Sequence, residues 1–169
     1  ATKSMAKDKE GMARDIEISL QNLQTDYIDI YQIHNPNREG YDQIVAPGGA
    51  LEALLEAKAA GKIGHIGFTN HYAEMIELVL QESWVETVMF PYNIVETQGE
   101  KLLKLCKEKN VGFIAMKPLA GGAIEDATIA LRYVTASEDV DVIIPGMDYP
   151  AQVQENYDAI VNTAPLSEE

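Results

Sequence analysis

Of the side chains able to take up protons or attack a carbonyl carbon near neutral pH, the sequence offers three histidines and one cysteine. His34 closes the run Thr25–Pro36, TDYIDIYQIHNP, in which Tyr27, Ile28, Ile30, Tyr31 and Ile33 predict a buried strand. An imidazole at the C-terminal end of a parallel strand can polarise a carbonyl or move a proton, because ligands collect at that end. The plainer role is a histidine satisfied by neighbouring backbone. His71 stands just past the strand Ile63–Thr69, after Asn70, where it could border a pocket; His65 lies inside that strand, in packing or in solvent. Cys106 falls within the helical pattern Glu100–Lys109 and predicts a small buried apolar residue rather than a nucleophile. No His/Cys/Asp spacing suggests a metal site.

The elements that must position these groups alternate along the chain. Met12, Ile16, Ser19, Leu20 and Leu23 recur at helical spacing before the His34 strand. A Gly/Pro-punctuated loop follows, then a helix with Leu51, Leu54 and Leu55 on one face that ends at Gly61. After Ile63–Thr69, whose Gly64 and Gly67 allow close backbone approach, come a helix through Met75–Leu80 and a strand near Glu86–Tyr92. A helix through Leu102–Cys106, a strand near Gly112–Lys117, a helix near Asp126–Ala136, a strand near Val140–Pro145 and a helix from Pro150 complete the order. Five strands interleaved with helices predict a parallel βα array in one domain over residues 1–169, with a loose acidic tail at 165–169. Neither G-x-G-x-x-G nor G-x-x-x-x-G-K-[ST] occurs, so a classical dinucleotide fold or P-loop has no motif support.

The chain has 169 residues, 13 basic against 27 acidic, a net charge of −14 and 46% hydrophobic residues. Such a balance excludes a general nucleic-acid or anionic-membrane surface but leaves room for local phosphate binding. One cysteine and the lack of about 18 consecutive apolar residues predict a reduced, cytoplasmic, non-membrane protein. A complete eight-unit βα barrel typically needs about 250 residues.

The segment SLQNLQTDYIDIYQIHNPN resembles the aldo-keto reductases, whose fourth barrel strand ends in an active-site histidine. LEALLEAKAAGKIGHIGFTNH is similar to the family's fifth-strand region, FPYN to its sixth, GFIAMKPLAGG to its seventh, and VDVIIPGM with QENYDAI to its eighth strand and nucleotide-binding helix. MKPLAGG and VIIPGM resemble the branch that often carries a C-terminal iron-sulfur extension, whose cysteines do not occur here. The resemblance implies an α/β fold of the parallel (β/α)8 TIM-barrel class, represented by about five C-terminal βα units from the end of strand three through strand eight and its helix. It also implies hydride transfer between NADP, or NAD, and a small carbonyl or alcohol. Of the family's Asp-Tyr-Lys-His tetrad, Lys3 and His34 match, and the Asp and Tyr would lie before Lys3. Lys3 is three residues from the terminus, a place where a frayed, solvated side chain is expected.

For the cofactor, the resemblance assigns Thr69 and Asn70 to the nicotinamide carboxamide. Met89 replaces a glutamine usual at the sixth strand, and Met116 replaces a ring-stacking tyrosine. Lys117, Leu119, Gly121 and Gly122 fall where pyrophosphate contacts are expected. Gly146 and Met147 replace a Lys-Ser pair, and Gln152 replaces an arginine, of strongly NADP-specific members, which should weaken recognition of the 2′-phosphate. Glu155 and Asn156 match a pair that contacts adenine. Three readings follow: an oxidoreductase present as a fragment without the Asp and Tyr; a non-catalytic truncated barrel that at most binds nucleotide; and a phosphate-binding barrel of other activity, which leaves the ordered motifs unexplained. Exposed barrel edges predict self-association.

Overall fold

The computed structural model describes residues 1–161; the tail expected at 165–169 lies outside the described residues. Two compact units divide the chain, Ala1–Val88 and Met89–Glu169.

In the first unit, β1 (Thr2–Ser4), β2 (Ile28–His34) and β3 (Ile63–Thr69) pair in parallel and in chain order. Lys3 therefore sits in strand register, opposite Gln32, rather than frayed. Helix α1 (Lys9–Leu23) starts where the Asp8 side chain accepts the Gly11 N–H at 2.8 Å and buries Met12, Ile16 and Leu20 on one face. Burying each such side chain is worth about 1.5–3 kcal/mol against leaving it in water. The Tyr31 hydroxyl lies 3.2 Å from Ser19 of α1, so Tyr31 and Ile33 face the helices. The alternate positions Gln32 and His34 take the opposite face, in register with Gly67 and Thr69.

Two sequence expectations change here. Tyr27 precedes β2 and is 44% exposed instead of lying in the strand body. The predicted loop after Pro36 contains a helix, α2 (Arg38–Val45), because Asn37 caps it through the Gly40 N–H at 2.8 Å while Tyr41 and Ile44 are buried one turn apart. Helix α3 (Ala50–Ala59) returns the chain to β3, and α4 (Ala73–Val79) follows. The boundary between the units falls inside β4 (Thr87–Pro91).

The second unit contains α5 (Glu100–Lys109), β5 (Gly112–Met116), α6 (Ala127–Thr135), β6 (Val142–Ile144) and α7 (Pro150–Val161), with β5 and β6 parallel. Its core gathers Leu102, Leu103, Phe113, Leu131 and Val134. Cys106 is 1% exposed, and burial with the nearby Asp141 charge pushes its thiol up to about 12, which suits an inert core residue. Among the described residues no helix is long and apolar enough to cross a membrane, and no group of three or more His, Cys, Asp or Glu side chains could hold a metal ion.

Candidate active site

In the first unit the C-terminal ends of β1, β2 and β3 bring Lys3, His34, Thr69 and Asn70 to one end of the sheet, because the register sets His34 beside Thr69 and Lys3 beside Gln32. His34 is part-exposed, and Thr69 is 3% exposed. Partial burial of the ring, then the Lys3 ammonium, then His71, hold the His34 imidazole below the ordinary histidine pKa of about 6.5. His34 is thus neutral at pH 7, a donor and acceptor at once. Titrated by NMR, it should protonate below that ordinary value, and Lys3→Gln should raise its midpoint. An unchanged midpoint would show that the ammonium does not act on the ring. The sign for stability follows: the unfolded chain takes up this proton first, so stability falls as pH drops through the unfolded value toward the folded one.

Asn70 is fully buried, and its amide is engaged locally. Its Oδ1 accepts the N–H groups of His71 at 2.9 Å and Tyr72 at 3.0 Å, and its Nδ2 donates to the Pro36 carbonyl at 2.9 Å. Asn35, in the left-handed region at φ 49°, directs its own Oδ1 to the His71 N–H at 3.3 Å. The residue read as a carboxamide contact therefore fixes the loops after β2 and β3, with one amide hydrogen left to offer. His65 is exposed and pairs with Glu86 at 2.9 Å, well inside β3 rather than at its end.

In the second unit Met89 and Met116 are buried, 6% and 9% exposed. Lys117 and Ala120 have positive φ, as do Gly121 at 69° and Gly122 at 96°, where a side chain would meet nothing within 4 Å. A backbone turned this way in an open loop can approach an anion closely. The loop is anchored by Asn93, a residue the sequence reading had only as part of a motif. Its Nδ2 donates to the Lys117 carbonyl at 3.0 Å and to Glu96 at 2.7 Å, while its Oδ1 accepts from Val95 and Glu96. Leu119 flanks the same turn, its carbonyl accepting from Gly122.

Gly146 and Met147 are exposed after β6. Gln152 spends its side-chain oxygen on the N–H groups of Asp148 and Tyr149, closing the start of α7. On α7, Glu155 is exposed and Asn156 is 7% exposed.

Residues 1–128 match the model of the aldo/keto reductase family. The chain belongs to that family. An uncharacterized oxidoreductase of Bacillus subtilis, YcsN, is 35% identical over 139 residues, covering 78% of this chain and 44% of that protein. The NADH-specific methylglyoxal reductase of Escherichia coli is 32% identical, covering 74% of this chain and 38% of its own length. The aldo-keto reductase AKR11C1 of Bacillus halodurans superposes with a TM-score of 0.80 at 25% identity, over 95% of this chain and 64% of that one. This member of the aldo/keto reductase family therefore spans roughly a third to two thirds of the relatives it matches, and its fold is a partial parallel (β/α)8 barrel.

Proposed function

We propose that this aldo/keto reductase chain carries the carbonyl-polarising and nucleotide-holding parts of an NAD(P)H-dependent oxidoreductase acting on a small carbonyl or alcohol. The observation that supports this most is His34: an imidazole held neutral at a strand end, in register with Thr69 and within electrostatic reach of Lys3. Its N–H can donate to a carbonyl oxygen, and the Lys3 ammonium stabilises negative charge developing there. NAD(P)H supplies the hydride. The exposed, positive-φ backbone at Gly121 and Gly122 with Lys117 beside it suits its phosphates. Glu155 and Asn156 are assigned to adenine, and Thr69 with the remaining Asn70 amide hydrogen to the carboxamide. With Gly146, Met147 and a Gln152 occupied as a cap, no cation on the start of α7 favours a 2′-phosphate, so NADH should bind about as well as NADPH.

Tyr31 is buried against Ser19, and burial raises its pKa. Burial and Tyr133 raise that of Tyr92, and Tyr27 lies before β2, far along the strand from His34. These placements favour, as a second reading, a module that binds nucleotide without turnover.

Carbonyl-dependent consumption of NADPH and NADH with a panel of small aldehydes separates the two. The first reading expects turnover that falls about a hundredfold or more in His34→Gln. Nucleotide binding with no carbonyl-dependent consumption, or consumption indifferent to His34, would overturn it. We also expect the 169-residue chain to self-associate through the exposed edges of its first and last strands, with Val142 and Ile144 of β6 45% and 40% exposed. A monodisperse monomer in sedimentation would contradict this.

A further inference from the structure

Among the described residues, the non-glycine positions with positive φ are Gln24, Asn35, Asn110, Lys117 and Ala120. Gln24 and Asn110 close α1 and α5, an ordinary place for a left-handed residue. Asn35 and Lys117 share a different setting. Each comes directly after the last residue of a strand, His34 of β2 and Met116 of β5, and each is followed by a proline.

A proline pushes the residue before it toward extended backbone with negative φ. A left-handed conformation also brings the Cβ of an ordinary residue too close to the following carbonyl oxygen. Asn35, at φ 49°, departs from both preferences, and it does so next to the imidazole read as the carbonyl-polarising group. Backbone strain of this kind persists only where the surroundings over-determine it.

Three hydrogen bonds do so here. The Asn35 N–H donates to the Thr69 carbonyl at 2.8 Å, its Oδ1 accepts the His71 N–H at 3.3 Å, and the Asn70 Nδ2 donates to the Pro36 carbonyl at 2.9 Å. Pro36 and Asn70 are both buried, so the turn is clamped from within. An extended Asn35 would carry β2 on past His34. The turn instead makes His34 the last strand residue, opposite Thr69 and within electrostatic reach of Lys3 and His71. In the second unit the same construction follows β5, where Lys117 has φ 54° and its carbonyl accepts from the Asn93 Nδ2 at 3.0 Å.

We propose that Asn35 is a positioning residue for His34: its left-handed turn, held by Thr69, His71 and Asn70, fixes the direction in which the imidazole meets a carbonyl. This rests on the carbonyl reading of His34 given above and names the residue that aims it. Asparagine suits the place, since apart from glycine it is among the few residues that accept a left-handed backbone.

The test is an NMR titration of His34 in the unaltered chain, in Asn35→Gly and in Asn35→Ala, each shown to be folded by circular dichroism, alongside carbonyl-dependent consumption of NADPH and NADH with small aldehydes. Glycine keeps the left-handed turn and lacks the amide; alanine favours neither. In Asn35→Ala the turn relaxes toward negative φ and the ring leaves its partly buried place near Lys3. Its midpoint should then rise toward the ordinary histidine value, and kcat should fall about tenfold or more at an unchanged nucleotide KM. Asn35→Gly should keep the original midpoint and turnover. If the alanine variant does not fold, Asn35→Ser, also costly at positive φ, makes the same comparison. A His34 midpoint and a turnover indifferent to alanine would overturn the proposal. So would equal changes in the alanine and glycine variants, which would assign the effect to the amide rather than the turn. If the midpoint moves in Asn35→Ala alone while the unaltered chain shows no carbonyl-dependent consumption, the oxidoreductase reading falls and the hold of Asn35 on His34 stands.

Discussion

Gly49→Ala should lower the thermal unfolding midpoint by about 6–12 °C. A Cβ at this position would stand 2.3 Å from the Ile44 carbonyl oxygen and 2.4 Å from that of Gln43. Both obstacles are backbone at the end of α2, so they cannot swing aside as a side chain would. Gly49 is also the residue from which α3 starts, with its N–H on the Ala46 carbonyl and its own carbonyl accepting from Glu52. Shifting it moves α2 and α3 together, an overpacking cost of roughly 3 kcal/mol or more, and about 2–4 °C per kcal/mol is expected for a chain of this size. Gly48→Ala is the comparison. Gly48 has φ 79° with open space around it, so only backbone strain of about 1 kcal/mol applies. Equal midpoints for the two variants, by circular dichroism on heating, would show that the turn before α3 is not packed as described.

The second large effect is expected at Asn70. Asn70→Ala removes the acceptor of the Tyr72 N–H, the nearer of the two acceptors of the His71 N–H, and the donor to the Pro36 carbonyl, from a side chain that is itself fully buried. Backbone groups left partly unpaired in such a place cost about 1–3 kcal/mol each. The α4 entry and the loop after β2 lose their common tie, so a total loss of about 2–4 kcal/mol in denaturant unfolding is expected. A loss below about 0.5 kcal/mol would mean that the loops after β2 and β3 hold their shape without this amide.

Those two residues also show where sequence reasoning reached and where it stopped. The alternation of strands and helices was legible because buried parallel strands such as Ile63–Thr69 read as short apolar runs, and helices such as Lys9–Leu23 as a repeating face. Helix α2 was not, because NREGYDQIV is short and mostly polar, and its two buried anchors, Tyr41 and Ile44, are too few to show a period. What fixes α2 is a capping bond from Asn37 and the packing of Tyr41 edge-on to Phe68, ring centroids 6.2 Å apart, contacts that arise only once the chain has folded.

The site shows the same division. His34 and Thr69 could be placed at strand ends from their runs alone, but the roles of the asparagines could not. Asn35 and Asn70 stand directly after a strand-end residue and Asn93 two residues after one, and each binds loop backbone through its amide. A recurring asparagine just past a strand is the signal, since its side chain mimics a backbone turn. Resemblance drew Asn70 toward the cofactor, whereas packing commits most of its bonding capacity to the loops.

Whether this chain holds a nicotinamide nucleotide is decided by calorimetric titration with NADPH and with NADH. We expect saturable binding of both in the micromolar range with less than about a tenfold preference, since no cation at Gly146 or Gln152 reads the 2′-phosphate; one charged contact is worth about that factor. Absence of heat with either nucleotide, from a chain shown to be folded by its cooperative unfolding, would contradict it.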